Sequence, residues 1–296
     1  MSFTFGRSTR RRLLLASAAA AIATLTSAPS LAQNNAKPSV PNTPFLIYAT
    51  PTPQGDVLRY VQKLADEDGS GLKLKVIESS QGLDSNQLVF KGDVHANLTQ
   101  HQPYFNSWIA AHPEAKDTLV HASTLLVNIF GLYSSKYKSV KDIPEGTKIL
   151  VPNEQTNLPR ALFILQNEGL LKLSHTSSDG SPAAVAIDEK SIQDNPKKFQ
   201  FVPTETGLRA KALPDVAASF INGDIALTNG IDPKSALSLE SADKNPYANV
   251  LTTRRELLTD PRLKLLVTYL NSPKVAAYIN DNYKGFIVPA QQSLLP

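Results

Sequence analysis

The sequence has no cysteine among its 296 residues. This absence excludes disulfide bonds, thiolate metal sites and nucleophilic cysteines. It also excludes a lipid-modified cysteine, because Gln33 follows Leu31 and Ala32 at the place where such a cysteine would stand. A chain of this length can bury a core large enough to fold without disulfide bonds.

Catalytic signature motifs are missing as well. The sequence contains no Gly-x-Ser-x-Gly turn, no phosphate-binding Gly-Lys-Ser/Thr loop, no Gly-x-Gly-x-x-Gly and no His-Glu-x-x-His. We therefore predict that the protein is not an enzyme and uses no cofactor.

The apolar run near the N-terminus, residues 13–23, is too short to cross a bilayer. Arginines at position 7 and positions 10–12 precede it, and the small-x-small string Ser30-Leu31-Ala32 follows. This order predicts a signal peptide over residues 1–32, cleaved after Ala32, and hence a periplasmic protein without a lipid anchor. The arginines fit the Sec route and the twin-arginine route equally.

The formal net charge of +4 comes from this N-terminal segment. Residues 1–32 hold four arginines and no acidic residue, so the mature chain is formally neutral. This charge balance excludes nucleic acid as a partner.

Two stretches of the mature sequence have the pattern of α/β modules. Phe45–Ala49 predicts a strand, apolar spacing over 57–65 predicts a helix, and alternation over 72–76 predicts another strand. A similar pattern begins at Lys148. Such β-α-β units imply parallel strands. Farther along, we expect a short helix over 215–221 and a strand over 224–228.

We therefore expect two lobes, each a mostly parallel sheet flanked by helices, with a ligand cleft at the carboxyl ends of the strands. The predicted boundaries are a disordered lead-in over 33–43, a first lobe of 44–130 plus 245–296, a second lobe of 131–244, and hinge crossings near 121–134 and 246–254.

The segment 151–162 predicts an anion site. A strand ends there, a polar loop follows, and Thr156 or Asn157 caps a helix that has Pro159 and Arg160 in its first turn. Free backbone N–H groups, the helix dipole and a bidentate guanidinium together suit a carboxylate. The alternative is a capped helix whose arginine bridges to a surface acid, and the pattern leaves both open.

The segment 92–105 places Thr99, Gln100, His101 and Tyr104 at the end of a predicted strand, where the cleft is expected. The alternative is that Tyr104 belongs to the core face of the following helix, together with Phe105 and Trp108.

Four of the five histidines lie within one stretch of the sequence, which raises the alternative of a metal-ion receptor. They are His95, His101, His112 and His121. Their spacing puts no two on one helical face, and no cysteine or acidic cluster joins them. We interpret them as scattered surface or cleft residues and predict no metal site.

A family resemblance extends from about residue 45 to residue 290. The strings that carry it are 92–97 with 100–104, 131–134, 136–139, 151–153 with Thr156, Asn157 and Arg160, 169–173, and 246–250. Together they resemble the methionine-binding lipoproteins of the MetQ/NlpA type, the substrate-binding components of methionine ABC importers. The resemblance implies a two-lobed periplasmic binding protein of type II, joined by two crossing strands.

The resemblance also implies ligand-binding roles. Arg160 would hold the α-carboxylate of an amino acid, Asn222 and Asn249 would hydrogen-bond its backbone atoms, and His101 and Tyr104 would line the pocket. The full set of expected ligand-binding residues is Gly82, Thr99, His101, Tyr104, Asn128, Asn157, Arg160, Asn222 and Asn249.

The sequence departs from the family where a side chain would be recognised. Gln81-Gly82 replaces an Asp-Tyr pair, Thr99 replaces an aromatic residue, and Ile129, next to Asn128, replaces a proline. Two of the missing residues are aromatics that would pack on a thioether, a contact of about 0.3–1.5 kcal/mol each. The implied ligand is methionine, or a larger or more polar amino acid, or a dipeptide.

The resemblance implies a hinged trap that closes on its ligand and then docks, as a monomer, on an importer permease in the membrane. The alternatives are a metal-ion receptor and an adhesion or sensor protein on the same fold without a role in transport.

Overall fold

The first strand, Phe45–Ala49, lies in the middle of a sheet and is buried along most of its length. It belongs to a computed structural model that describes residues 40–78 and 83–296. The expected signal peptide, most of the lead-in and the candidate site residue Gly82 lie outside the described residues.

The strands and helices alternate along most of the chain. The strands are β1 Phe45–Ala49, β2 Leu74–Glu78, β3 Ala96–His101, β4 Leu119–Asn128, β5 Phe130–Tyr133, β6 Lys148–Pro152, β7 Lys172–Leu173, β8 Ile192–Asp194, β9 Gln200–Thr204, β10 Ala218–Asn222, β11 Ala236–Leu239, β12 Ala248–Arg254 and β13 Ile287–Ser293. The helices are α1 Asp56–Glu67, α2 Ser85–Lys91, α3 Gln102–Ala111, α4 Leu158–Asn167, α5 Pro182–Val185, α6 Thr206–Lys211, α7 Gly223–Thr228, α8 Pro261–Leu270 and α9 Pro273–Tyr283.

Two mixed sheets organise these elements. The first has six strands in the order β13-β4-β12-β3-β1-β2, and the second has five in the order β11-β5-β10-β6-β9. A short pair, β7 and β8, stands apart from both. The expected α/β class is confirmed.

Only part of each sheet is parallel, which differs from the mostly parallel sheets expected. β1 pairs in parallel with β2 and β3, and β6 with β9 and β10. The other pairs are antiparallel, among them β4 with β12 and β5 with β10. The reason is that β4 leads the chain towards the second sheet and β12 follows its return, so these two strands run in opposite directions.

The expected helix over 215–221 and strand over 224–228 are wrong, because the order is reversed. Residues 218–222 form β10, which is buried between β5 and β6, and residues 223–228 form α7. Short apolar runs fit either element, and here the pairing with neighbouring strands decides between them.

The chain passes from the first sheet to the second at Ile129. Its N–H donates to the carbonyl oxygen of Phe286 at 2.9 Å, and its own carbonyl accepts the N–H of Gly223 at 2.8 Å. A Cβ on Gly223 would stand 2.3 Å from the Phe286 oxygen, so only glycine fits this approach. Three distant segments therefore meet tightly beside the ends of β4 and β10.

Candidate functional site

The main cavity of the described residues has a volume of about 320 Å³ and lies where the two sheets face each other. Most of its lining comes from the carboxyl ends of strands and from helix starts, and Asn249 comes from the beginning of β12. The lining residues are Tyr48, Thr50, Gln54, Leu83, Asp84, Ser85, Thr99, Gln100, His101, Tyr104, Asn128, Glu154, Asn157, Arg160, Asn222, Asp224 and Asn249.

The structure brings eight of the nine expected site residues to this cleft, although they are widely separated in sequence. The ninth, Gly82, falls in the segment 79–82, outside the described residues. The lining also includes residues that the sequence did not single out. Thr50 and Gln54 follow β1, and their position after a strand of a β-α-β unit is the signal that could have identified them.

Arg160 lies in the first turn of α4 and is only 3% exposed. Its Nε donates to Glu240 Oε2 at 3.1 Å, and its Nη2 pairs with Glu240 Oε1. Nη2 also donates to the carbonyl oxygen of Asn128 at 2.8 Å, and Nη1 donates to Asn157 Oδ1 at 3.1 Å. Among the described residues, these bonds leave one of its five N–H groups, on Nη1, for a ligand.

The bidentate face of Arg160 is therefore turned to Glu240, and Nη1 is the atom that remains for the expected ligand carboxylate. The guanidinium carbon lies 4.9 Å from the ring centre of Phe130 and 4.7 Å from that of Tyr247. The sequence left two alternatives open for Arg160, an anion site and a bridge to an acid. In the structure its side chain pairs with an acid and also lines the cleft. The acid is largely buried and not at the surface.

His101 ends β3 and caps α3, where its Nδ1 accepts the N–H of Tyr104 at 3.1 Å. Because Nδ1 is an acceptor, the proton is on Nε2, which donates to Asn157 Oδ1 at 3.1 Å. Burial, followed by the positive charge of Arg160, lowers the pKa of His101 to about 3. The imidazole is therefore neutral and joins the first sheet to the start of α4.

Asn222, at the end of β10, is held by an arginine that the sequence did not reveal. Arg209 is fully buried, and its Nη2 donates to Asn222 Oδ1 at 3.0 Å. Its other N–H groups donate to the carbonyls of Phe220 and Thr204, at 2.8 Å each, to Glu154 and to the hydroxyl of Thr206. Since Arg209 occupies the amide oxygen, Asn222 has its Nδ2 group left to offer to the cleft.

Asn249, at the start of β12, is oriented in the same way. Gln54 is buried and donates from Nε2 to Asn249 Oδ1 at 2.6 Å, while its own oxygen accepts the hydroxyl of Thr50. The Nδ2 group of Asn249 is thus the part left to face a ligand.

Asp224 is an acid inside the cleft. Its backbone N–H donates to Asn128 Oδ1 at 3.0 Å, and its Oδ1 accepts the N–H of Ile225 at 2.8 Å. Burial raises the pKa of the Asp224 carboxyl, although the Asn128 side chain, nearby backbone N–H groups and the charge of Arg160 act in the opposite direction.

The far end of the cleft is polar. The hydroxyls of Thr99 and Ser85 lie 2.9 Å apart, and Asp84 accepts the indole N–H of Trp108 at 2.9 Å. Tyr104 is 45% exposed at the rim, whereas Trp108 and its neighbour Phe105 are buried. The core-face alternative therefore holds for those two residues and not for Tyr104.

The remaining histidines of the sequence cluster have separate surroundings. His95 Nδ1 accepts the N–H of Leu46 at 2.9 Å, His112 stacks on Trp108 at 4.0 Å, and His121 lies 4.2 Å from the ring of Phe105. Over residues 40–78 and 83–296, no three metal-ligating side chains come together. In the same ranges, no helix has the length and apolar character needed to span a bilayer.

Known proteins resemble this chain in both sequence and fold. The model of the NlpA lipoprotein family matches residues 46–291. The methionine-binding lipoprotein MetQ of Bacillus subtilis (strain 168) is 33% identical over 251 residues, which are 84% of this chain and 88% of that protein.

Solved structures match along almost their whole length. A nutrient binding protein from Burkholderia cenocepacia bound to methionine is 34% identical with a TM-score of 0.74, and the match covers 83% of this chain and 99% of that one. An ABC transporter, periplasmic substrate-binding protein from Coxiella burnetii is 29% identical with a TM-score of 0.73, with the same two coverages of 83% and 99%. These matches confirm the resemblance and the fold class. The chain belongs to the NlpA lipoprotein family.

Proposed function

We propose that the chain is the solute-binding protein of an ABC importer and that it binds an amino acid, methionine or a related one, in the cleft between its sheets. It binds the solute without chemical change and hands it to a permease in the membrane. Membership of the NlpA lipoprotein family supports this function, as do the relatives described as binding methionine.

One feature of the cleft carries the proposal: three side chains leave N–H groups free while their other polar atoms are held by the protein. These groups are Nη1 of Arg160 and the Nδ2 groups of Asn222 and Asn249. The amide oxygens of the two asparagines accept hydrogen bonds from Arg209 and Gln54. Fixed N–H donors inside a cleft suit the carboxylate of an amino acid.

We propose that residues 44–130 plus 245–296 form one lobe, that residues 131–244 form the other, and that the lobes close by a hinge at the crossings near 121–134 and 246–254. The division of the strands between the two sheets supports these boundaries. His101, Tyr104 and Asn249 would then approach the ligand from the first lobe, and Arg160 and Asn222 from the second. Closure buries the ligand and removes it from water.

The polar end of the cleft is where we expect the ligand's side chain to bind. Thr99 and Ser85 present hydroxyls there, and Asp84 adds a carboxylate. An apolar thioether would gain little beside Thr99, because this residue stands where the family has an aromatic ring. We propose that a more polar amino acid competes with methionine.

We propose that the chain is exported to the periplasm and released there as a monomer after cleavage behind Ala32. The sequence has no cysteine to carry the lipid for which its relatives are named.

The function is tested on the mature chain, unfolded and refolded to remove any ligand that copurifies. Native mass spectrometry identifies what the untreated protein carries, and calorimetry measures binding of each of the twenty amino acids. We expect tight binding of at least one of them, and no binding when Asn249 is changed to Ala. The matched control is Asn229→Ala, an exposed asparagine beyond the cleft. A copurified metal ion, or no binding of any amino acid, would contradict the proposal.

A further inference from the structure

The cleft contains an acid, Asp224, that has no role in the proposed binding of the ligand's carboxylate. Besides Asp224, the acids in or beside it are Asp84, Glu154 and Glu240. Glu240 is paired with Arg160, and Glu154 with Arg209 and the hydroxyl of Thr206. Asp84 lies at the exposed rim, where its two oxygens accept bonds from Gln87 and Trp108.

The carboxylate of Asp224 accepts the N–H of Ile225 but, within the described residues, has no cationic partner. No cationic side chain of the described residues lies within ion-pair distance of it. Part of its role is local, because an acid in the first turn of a helix stabilises that helix. Burial nevertheless disfavours its charge, which a cation in the cleft would offset.

The asparagine oxygens of the cleft already accept hydrogen bonds from the protein. The donors to these oxygens are as follows: the Asp224 N–H to Asn128, His101 and Arg160 to Asn157, Arg209 to Asn222, and Gln54 to Asn249. An ammonium group brings three donors and needs acceptors. Among these side chains, the Asp224 carboxylate is the acceptor best suited to it.

Asp224 and Arg160 are also neighbours. Both contact Asn128, Asp224 through its backbone N–H and Arg160 through Nη2. A cation and an anion that both contact Asn128 match the ammonium and carboxylate of one α-amino acid. In a dipeptide the two charges are a whole residue farther apart.

We infer that Asp224 receives the α-ammonium group of the ligand and thereby restricts the cleft to free α-amino acids, excluding N-acylated amino acids and dipeptides. This inference rests on the proposed function and names the ligand class of the same site.

The test compares three probes by calorimetry: L-methionine, N-acetyl-L-methionine, and 4-(methylthio)butanoic acid, which lacks only the amine. If another of the twenty amino acids binds more tightly than methionine, that amino acid, its N-acetyl derivative and its amine-free analogue are used as the three probes. The wild type should bind the free amino acid at least about 30-fold more tightly than the acid without the amine, as expected for a buried charge pair. Asp224→Asn should reduce this ratio to about 3-fold or less.

The control is Asp215→Asn, which removes an exposed acid and should leave the ratio unchanged. Asp224→Ser provides a second variant if the asparagine variant does not fold. Equal affinity of the wild type for the amino acid and its amine-free analogue would overturn the inference, as would an unchanged ratio in the Asp224 variants. Failure of the proposed function looks different, because then the wild type binds none of the twenty amino acids.

Discussion

The imidazole of His101 and the side-chain amide of Asn157 meet across the cleft, with Nε2 and Oδ1 separated by 3.1 Å. His101 ends β3 of the first sheet, and Asn157 precedes α4, which packs against the second. The same amide oxygen accepts Nη1 of Arg160, so one contact couples the two sides of the cleft to the proposed carboxylate anchor.

Replacing His101 with Ala should weaken ligand binding about fivefold, because one buried hydrogen bond between the two sides contributes about 1 kcal/mol. The unliganded variant should also have a larger radius of gyration in X-ray scattering, since one of the contacts between the two sides is gone. His112→Ala, a histidine stacked on Trp108 away from the cleft, is the control. Unchanged affinity and scattering in His101→Ala would contradict this role.

Replacing Arg160 with Met should cost about 3–5 kcal/mol of the free energy of unfolding, because Glu240 is left without its partner in a buried site. The double variant Arg160→Met, Glu240→Gln should regain most of that stability, since no charge remains unpaired. It should still bind amino acids poorly. Urea unfolding and calorimetry separate the two effects, and a double variant with full affinity would refute the carboxylate anchor.

Changing Asn222 to Asp should weaken ligand binding and leave the stability of the fold unchanged. The new carboxylate would face buried Arg209, whose pKa is lowered by burial, so folding should not suffer. It would also replace an N–H donor with a second negative charge, which should weaken binding of a carboxylate at least 100-fold, about 3 kcal/mol. Asn229→Asp is the matched control, and retained affinity in Asn222→Asp would exclude this amide as a ligand contact.

Acid should destabilise the folded chain through two buried histidines. In the folded state burial lowers the pKa of His101 to about 3, with the charge of Arg160 adding to the effect, and burial lowers that of His121 to about 4. The unfolded chain binds these protons from about pH 6.5 downwards. Stability therefore decreases as the pH falls below 6.5, by up to about 2 kcal/mol for each histidine at pH 5.

Urea unfolding at pH 7 and pH 5 checks this dependence. His121→Phe should reduce the difference between the two pH values by about 2 kcal/mol, because it removes one of the two protons. The Nε2 atom of His121 is buried without a partner, so no hydrogen bond at that atom is lost. Equal stability of the wild type at pH 7 and pH 5 would show that these histidines are not held neutral.

Changing Thr99 to Phe should favour methionine over more polar amino acids. Thr99 lies beside Ser85 at the polar end of the cleft, and an aromatic ring there would contact a thioether. The expected gain is about 0.3–1.5 kcal/mol, measured as the change in the ratio of dissociation constants for methionine and glutamine. A ratio that does not move would mean that the ligand's side chain does not reach Thr99.

The sequence predicted the repeated parts of the fold and much of the cleft. The helix that follows β1 has strong apolar periodicity, and the first turn of α4 combines a proline and a cation. In the described part of the chain, the expected capping hydrogen bond is absent from the side chains of Thr156 and Asn157. β10 and α7 are each too short for periodicity to separate them. Their identity depends on pairing with strands far away in the sequence.

The partners of the site residues could not be predicted in the same way. Arg160 meets Glu240 and Asn249 meets Gln54 only after folding brings distant segments together. Arg209 gives no local signal either, because an arginine on a short helix is usually solvated. These partners determine which atoms face the ligand.

The most direct test of the account is a crystal structure of the mature chain with its tightest-binding amino acid. We predict that the ligand's carboxylate lies within hydrogen-bond distance of Arg160 Nη1 and Asn222 Nδ2, with its ammonium group on Asp224. A ligand bound outside this cleft, or one whose carboxylate contacts neither group, would contradict the account.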